Sequence, residues 1–240
     1  MASLKNLHGQ VTEQIGRAIL RGDWPPGAAL PTEDLLATQH GVSRIVVREA
    51  MKSLAAKGLV SIRPRAGTRV LPRDRWQLLD AELLDWHAGL PIGPDFVADY
   101  LDLRRMIEPQ AARLAARRAT AGDIAAMRTA FNRMGAALDG EGDYLAADMA
   151  FHAALLNAAR NRFIHQLGGA LERLLTLSTS ISWRYPDAAR GSLPLHGALL
   201  EAIERRDPEA AAAQIARLIE RHERHLRGML QDMDQKRERT

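Results

Sequence analysis

An aspartate and a histidine in the second half of the sequence have the spacing of a metal-binding pair. Asp148 and His152 are four residues apart, so on a helix their side chains project from the same face, one turn apart. A carboxylate and an imidazole in this arrangement suit a divalent ion such as zinc, nickel or manganese. The alternative is an ordinary ion pair along a helix surface, and the pair alone leaves both roles open.

The composition excludes several kinds of catalytic chemistry. The 240 residues contain no cysteine, which excludes thiol nucleophiles, cysteine-ligated zinc and disulfide bonds. The HExxH motif of metalloproteases, the GxSxG motif of serine hydrolases and the nucleotide-binding P-loop are also absent. Any metal ion must therefore be held by histidine and carboxylate, and we predict that the protein is not an enzyme.

Positive charge is concentrated at the start of the chain. Residues 1–75 contain twelve lysines and arginines and six acidic residues, a net charge of +6, whereas the remaining 165 residues carry −2. This segregation predicts a basic module that binds a polyanion and a near-neutral module with another task. Neither a secretory leader nor an apolar run of about 18 residues is present, so we expect a cytoplasmic protein.

The elements that position these residues are mostly helices. Three helices are predicted over 4–20, 33–40 and 44–57, and two short strands over 59–63 and 68–71. Thr32 and Ser43 are suited to cap the second and third helices, and Gly41 ends the second, so the turn between the two helices is short. This order predicts a winged helix-turn-helix.

The remainder of the chain is predicted to be helical. Six alanine-rich amphipathic helices are expected over 95–117, 121–138, 141–159, 161–183, 192–205 and 208–230. The predicted fold is therefore mainly α, with an N-terminal winged helix-turn-helix and a C-terminal all-helical bundle. The predicted boundaries are 1–72 for the DNA-binding domain, 73–93 for a linker helix and 94–233 for the bundle.

The third helix is predicted to contact DNA. Its face opposite the apolar stripe carries Ser43, Arg44, Ile45 and Arg48, with Lys52 one turn further on. Arginine is suited to bidentate contact with guanine, and the hydroxyl and lysine side chains at helix starts and flanks, Thr32 included, are suited to phosphate. The wing adds Arg63 and Arg65 beside Gly67. The alternative is a solvated basic face, but the helix spacing, the wing and the charge segregation together favour DNA binding.

The motifs of this region resemble those of a known family. The sequence contains PGAALPTE, GVSRIVVREA, and GLV followed by a wing that ends in GTRV. These resemble the N-terminal domain of GntR-family bacterial transcription regulators, and the resemblance implies operator contacts by Thr32, Ser43, Arg44, Ile45, Val46, Arg48 and the wing near Gly67. Many relatives have an arginine where this chain has Asp34, so operator recognition near that position is expected to differ.

The second half resembles the helical FCD-type effector domain of the FadR subfamily. The resemblance is carried by residues 103–109, by Asp148 to His152 and by His196. It implies that His196 joins Asp148 and His152 around a divalent ion, with zinc as the expected metal, and that Arg104 binds the carboxylate of an effector. The alternative for Arg104 is an ion pair with Glu108, one turn away. The segment RDRWQLLDAELLDW further resembles the branch that includes D-galactonate operon repressors.

The fourth metal ligand of the subfamily is missing from its usual position. The resemblance places a histidine of the last helix where this chain has Leu218. His222, one turn further along, lies at the centre of the apolar stripe formed by residues such as Ile215, Ile219 and Leu226. Three alternatives stay open: His222 is the fourth ligand, His222 packs inside as a neutral imidazole, or three ligands are completed by water and an anionic effector.

Three classes of function are compatible with these features. We predict a DNA-binding transcription regulator, a repressor, that is released from its operator by a small carboxylate such as a sugar acid. It is expected to act as a homodimer without membrane contact. The alternatives are a metal-dependent hydrolase with an appended nucleic-acid-binding domain and an architectural DNA-binding protein. The hydrolase would need a catalytic motif, and the architectural protein would not need a large helical domain with polar residues inside.

Overall fold

The structure is a computed structural model that describes residues 4–63, 65–90, 93–182 and 186–238. The chain divides into two compact units, Met1–Pro91 and Ile92–Thr240. Residues 91 and 92 of the predicted linker, and 183 at the predicted end of the fourth bundle helix, lie outside the described residues. Among the described helices, none combines the length and apolar character that crossing a membrane requires.

The first unit contains the predicted winged helix-turn-helix. Its elements are α1 (Leu4–Arg21), α2 (Glu33–His40), α3 (Arg44–Ala56), β1 (Val60–Arg63), β2 (Gly67–Val70), a short 3₁₀ turn (Arg73–Arg75) and α4 (Ala81–Trp86). Thr32 and Ser43 cap α2 and α3 by accepting hydrogen bonds from backbone N–H groups three residues on. Gly41 ends α2 with a positive φ of 64°, a conformation that favours glycine and that turns the chain towards α3.

The wing is a two-stranded antiparallel sheet. Val60 pairs with Val70, and Arg63 pairs with Gly67 beside the turn. The core of the unit is built by the apolar faces of α1 and α3, with Ile15 and Ile19 packed with Val47, Ala50, Met51 and Leu54. Burial of this face leaves the opposite face of α3 in solvent.

Residues 73–90 belong to the first unit and pack on its core. The helix in this segment covers only Ala81–Trp86, and both Trp76 and Trp86 belong to the same hydrophobic core as α1 and α3. The Trp86 ring occupies the space beside Gly16, where a Cβ atom would lie 2.5 Å from the ring. The buried ammonium of Lys57 contacts Asp80 and Glu82 of this segment, both at 2.7 Å.

The second unit is an all-helical bundle. Its helices are α5 (Pro94–Arg118), α6 (Ala121–Leu138), α7 (Tyr144–Ala158), α8 (Arg162–Ser182), α9 (Pro186–Glu204) and α10 (Pro208–Glu238). Helix α5 packs on α7 and α10, and α9 packs on α6 and α10. Helix α9 begins at Pro186, six residues before the predicted start, and proline is a favoured residue in the first turn of a helix. This packing directs one face each of α5, α7, α9 and α10 towards the interior.

Candidate functional site

The exposed side of α3 and the residues around it form a basic surface. We call Thr32, Ser43, Arg44, Ile45, Arg48 and Lys52 the recognition face, after the DNA contacts predicted for them from the sequence, and all six are exposed. Ile45 is 74% exposed although it is apolar, and such a side chain is suited to contact a thymine methyl group. Among the predicted wing contacts, Arg63, Arg65 and Gly67 are also exposed.

Val46 is also predicted as a DNA contact, but its side chain does not belong to this exposed surface. Its side chain is only 5% exposed and packs in the hydrophobic core with Val47 and Ala50. The reason is helical periodicity: Val46 shares the buried stripe with residues four and eight positions further on. A side chain in this position cannot reach a DNA groove.

Acidic residues of α2 contact both arginines of the recognition face. Nε of Arg44 lies 2.9 Å from Oδ1 of Asp34. Arg48 donates hydrogen bonds from Nε and Nη2 to Oε2 of Glu33, at 3.3 and 3.1 Å. The Glu33 carboxylate raises the pKa of Arg48 by hydrogen bonding and charge. These contacts were not predicted from the sequence. Two consecutive acids at the start of α2 were the available signal, but the contacts depend on how α2 packs against α3.

A second polar cluster lies inside the helical bundle. Asp148 and His152 on α7 and His196 on α9 are all buried, and within the described part of the chain they form the one histidine and carboxylate group whose ligand atoms lie within 4.8 Å of one another. Oδ1 of Asp148 is 3.0 Å from Nε2 of His196 and 4.0 Å from Nε2 of His152. The packing of α9 on the bundle thus adds His196 to the pair that helical spacing predicts.

The surroundings of the two ring nitrogens of His196 indicate which of them carries a proton. Its Nδ1 lies 3.0 Å from the carbonyl oxygen of Ser192, which can only accept, so Nδ1 carries a proton. In the neutral ring Nε2 then has a lone pair, and it faces the Asp148 carboxylate, which is also an acceptor. Among the described residues, no hydrogen-bond donor serves Nε2 of His196. Two acceptors at this distance need a proton or a cation between them. A carboxylate with two imidazoles is also a donor set that fits a divalent metal ion.

The charge of the Asp148 carboxylate is preserved in this cluster. Burial alone would raise the pKa of Asp148, but the contact with His196 and the nearby His152 and Arg104 outweigh it and lower the pKa to about 2. Asp148 is therefore ionised near neutral pH, as a metal ligand must be.

Arg104 and Glu108 form a buried ion pair next to this cluster. They are 2% and 5% exposed, and Arg104 donates from Nε and Nη2 to the two carboxylate oxygens at 2.5 and 3.1 Å. Burial alone would raise the pKa of Glu108, but Arg104 and His152 outweigh it and hold the pKa far below its ordinary value. Oε2 of Glu108 is also 3.4 Å from Nδ1 of His152. Arg104 thus forms the ion pair with Glu108 that was the alternative to effector binding, while its Nη1 takes no part in this pair.

His222 and Leu218 on α10 are the two candidates for the fourth ligand position. Leu218 is buried and apolar. His222 packs edge-on against Tyr100, with ring centroids 6.4 Å apart, and it is not part of the group formed by Asp148, His152 and His196. Burial, followed by the charge of Arg104, lowers the pKa of His222 to about 3, so its imidazole is neutral.

The fold and its two polar sites together define a class of protein. A winged helix-turn-helix followed by an all-helical unit with buried polar side chains is the architecture of an effector-responsive DNA-binding regulator. Comparison with known families agrees: the model for bacterial regulatory proteins of the gntR family matches residues 7–70, and the FCD domain model matches residues 99–221. The chain belongs to the GntR family of transcription regulators, with an FCD effector domain. It is a regulator and not an enzyme, as predicted.

Individual relatives extend over nearly the whole chain. The uncharacterized HTH-type transcriptional regulator YieP of Escherichia coli (strain K12) is 37% identical over 214 residues, which cover 88% of this chain and 91% of that protein. The galactonate operon transcriptional repressor of Escherichia coli (strain K12) is 31% identical over 223 residues, covering 92% and 97%. The solved structure of E. coli McbR/YncC has the same fold, with a TM-score of 0.55 and 20% identity over 96% of this chain and 100% of that one.

Proposed function

We propose that the protein is a homodimeric repressor of the FadR subfamily, released from its operator by a small carboxylate such as a sugar acid. It acts in the cytoplasm, where operator DNA lies. One observation carries the effector proposal: Arg104 and the Asp148, His152 and His196 group are buried together in the FCD unit. The similarity to a galactonate operon repressor supports a sugar acid as the ligand class.

The recognition face is proposed to enter the major groove of the operator. Arg44 and Arg48 would contact guanine bases, and Ile45 would contact a base edge. Thr32, Ser43 and Lys52 would bind phosphates, together with Arg63, Arg65 and the backbone at Gly67 in the wing. One such face offers few contacts, so a homodimer that binds two half-sites about one helical turn apart is expected.

The buried cluster is proposed to hold one divalent cation, with zinc as the expected metal. Asp148, His152 and His196 would be its ligands, and the hydrogen bond from Nδ1 to Ser192 orients the imidazole of His196. Glu108 lies 3.4 Å from Nδ1 of His152. When bound, the cation would supply positive charge and coordination positions for a carboxylate in a buried site. With Leu218 apolar, water and the effector would complete the coordination unless His222 moves to the group.

Arg104 is proposed as the counter-charge for the effector. Glu108 contacts Nε and Nη2 of Arg104, so Nη1 remains for a carboxylate oxygen of the ligand. The released state must bind the effector better than the DNA-bound state does for the effector to act as a switch. Residues 76–86, which pack against the DNA-binding unit, are the proposed relay between the effector and the recognition helices.

DNA binding is tested by titrating a cognate operator with single variants. Arg48→Ala is expected to weaken binding by about 1–3 kcal/mol and to relax base preference. Arg21→Ala is the matched control, because Arg21 is also exposed and ion-paired but lies at the end of α1, outside the recognition face. If Arg44→Ala and Arg48→Ala both bind like the parent protein, the recognition helix is assigned wrongly.

The metal and the effector are tested together. Metal content after zinc titration and dialysis should be near one ion per chain, and His196→Ala should lose it, whereas the control His165→Ala, at an exposed histidine of α8, should keep it. Thermal-shift screening of hydroxy and sugar acids, with and without zinc, should find a ligand that raises the melting temperature. Retention of both metal and effector response by His196→Ala would contradict the proposed site.

A further inference from the structure

The two arginines of the recognition face differ in how they are held by α2. Oδ1 of Asp34 lies 2.9 Å from Nε of Arg44. Glu33 accepts from both Nε and Nη2 of Arg48 with one oxygen. A guanine is recognised by two N–H groups of one guanidinium. The direction in which each guanidinium points therefore decides which base it can contact. The Asp34 carboxylate therefore lies directly beside the guanidinium that is proposed to contact a base.

The ion pair between Asp34 and Arg44 is too weak to prevent DNA binding. The side chains are 66% and 60% exposed, and exposed pairs of this kind shift an equilibrium by no more than about fivefold. An interaction of this size does not block a base contact, but it biases the direction in which the guanidinium points. A negative charge at the recognition face also repels phosphate groups, so it lowers affinity for DNA of every sequence.

We propose that Asp34 is a specificity-determining residue, which orients the Arg44 guanidinium towards one base position of the operator and away from the phosphates. The inference rests on the proposed role of α3 as the recognition helix. Without the carboxylate, Arg44 is free to turn to neighbouring phosphates, which are the same at every sequence. Loss of Asp34 should therefore increase general affinity and reduce base discrimination at one position.

The test compares three full-length proteins: the parent, Asp34→Asn and Glu49→Gln. Glu49 is the matched control, because it is an exposed carboxylate of α3, the helix that carries Arg44. It pairs with Lys52, a proposed phosphate contact, at 2.7 Å. Both substitutions remove one negative charge and keep the side-chain length. Each protein selects from a pool of duplexes with a randomised central segment, and the affinities for the parent's selected duplex and its single-base variants are then measured.

Asp34→Asn should bind unrelated duplex DNA up to about fivefold more tightly and lose about threefold to fivefold of its discrimination at one position of each half-site. That position should be the one at which Arg44→Ala also loses discrimination. Glu49→Gln should change affinity equally for all duplexes and leave the selected sequence unchanged. Melting temperatures of the variants should match the parent, because both carboxylates are exposed.

The outcomes separate this inference from the proposed function. If Asp34→Asn and Glu49→Gln produce the same uniform change, Asp34 acts through charge alone and the inference is wrong, while the recognition helix stands. If the parent selects no sequence, or if Arg44→Ala selects the parent's sequence with the parent's affinity, the proposed DNA contacts fail and this inference fails with them.

Discussion

Replacing Glu108 with leucine would leave the guanidinium of Arg104 buried without its carboxylate partner. Both side chains are nearly inaccessible to solvent, and two hydrogen bonds join them. The loss of one member of a buried ion pair typically costs about 3–5 kcal/mol, because the remaining charge keeps its desolvation penalty. We expect Glu108→Leu to reduce the free energy of unfolding by this amount.

The matching double variant separates this penalty from the value of the pair itself. When Arg104→Met and Glu108→Leu are combined, no charge remains in the pair and apolar side chains fill the space. The double variant is expected to lie within about 1 kcal/mol of the parent or above it. The coupling between the two substitutions should therefore be at least about 2 kcal/mol.

Urea unfolding followed by far-ultraviolet circular dichroism measures these differences, since the FCD unit supplies most of the helical signal. His152 is a proposed metal ligand and also contacts Glu108. The protein is therefore kept in a chelator, so that bound metal does not contribute to the measured differences in stability. Glu209→Ala is the control: this carboxylate is exposed in its pair with Arg113, and its loss should cost no more than about 1 kcal/mol. A double variant as unstable as Glu108→Leu alone would refute the argument that an uncompensated charge causes the loss.

Three further predictions concern the DNA-binding unit. Gly16→Ala should destabilise it by about 1–3 kcal/mol, because the new methyl group meets a tryptophan ring of α4, whereas Gly9→Ala on the same helix, with open space around it, should stabilise it by about 0.5–1 kcal/mol; thermal unfolding compares the two. Lys57→Met should lower the free energy of unfolding by about 1–3 kcal/mol, since it removes the charged hydrogen bonds of a buried lysine. Lys52→Met, at an exposed ion pair, should stay within about 1 kcal/mol of the parent. Urea unfolding followed by tryptophan fluorescence measures both. Burial, together with two nearby arginines, lowers the pKa of His87, so the unfolded state takes up its proton more readily. The free energy of unfolding should accordingly fall as the pH drops below about 6.5. If this free energy depends on pH in His87→Gln as steeply as in the parent, His87 is not the group responsible.

Local features of the sequence determined the elements and part of each site. Thr32, Gly41 and Ser43 act within a few residues of their own positions, so their cap and turn roles can be predicted without knowledge of the fold. The same holds for Asp148 and His152, which helical geometry alone places on one face. The 3.6-residue period also predicts that the side chain of Val46 is buried, although the resemblance to the family names Val46 among the DNA contacts.

Only the tertiary structure decided which side chains from separate elements meet. The contact between Asp148 and His196 joins residues 48 positions apart, and the one between Asp34 and Arg44 requires the angle between α2 and α3. Local sequence carries no signal for these distances, because they depend on how whole helices pack. The helical period places His222 on the inner stripe of α10, but it does not determine the distance from His222 to the other candidate ligands. In the fold, His222 packs against Tyr100 and lies outside the group formed by those ligands.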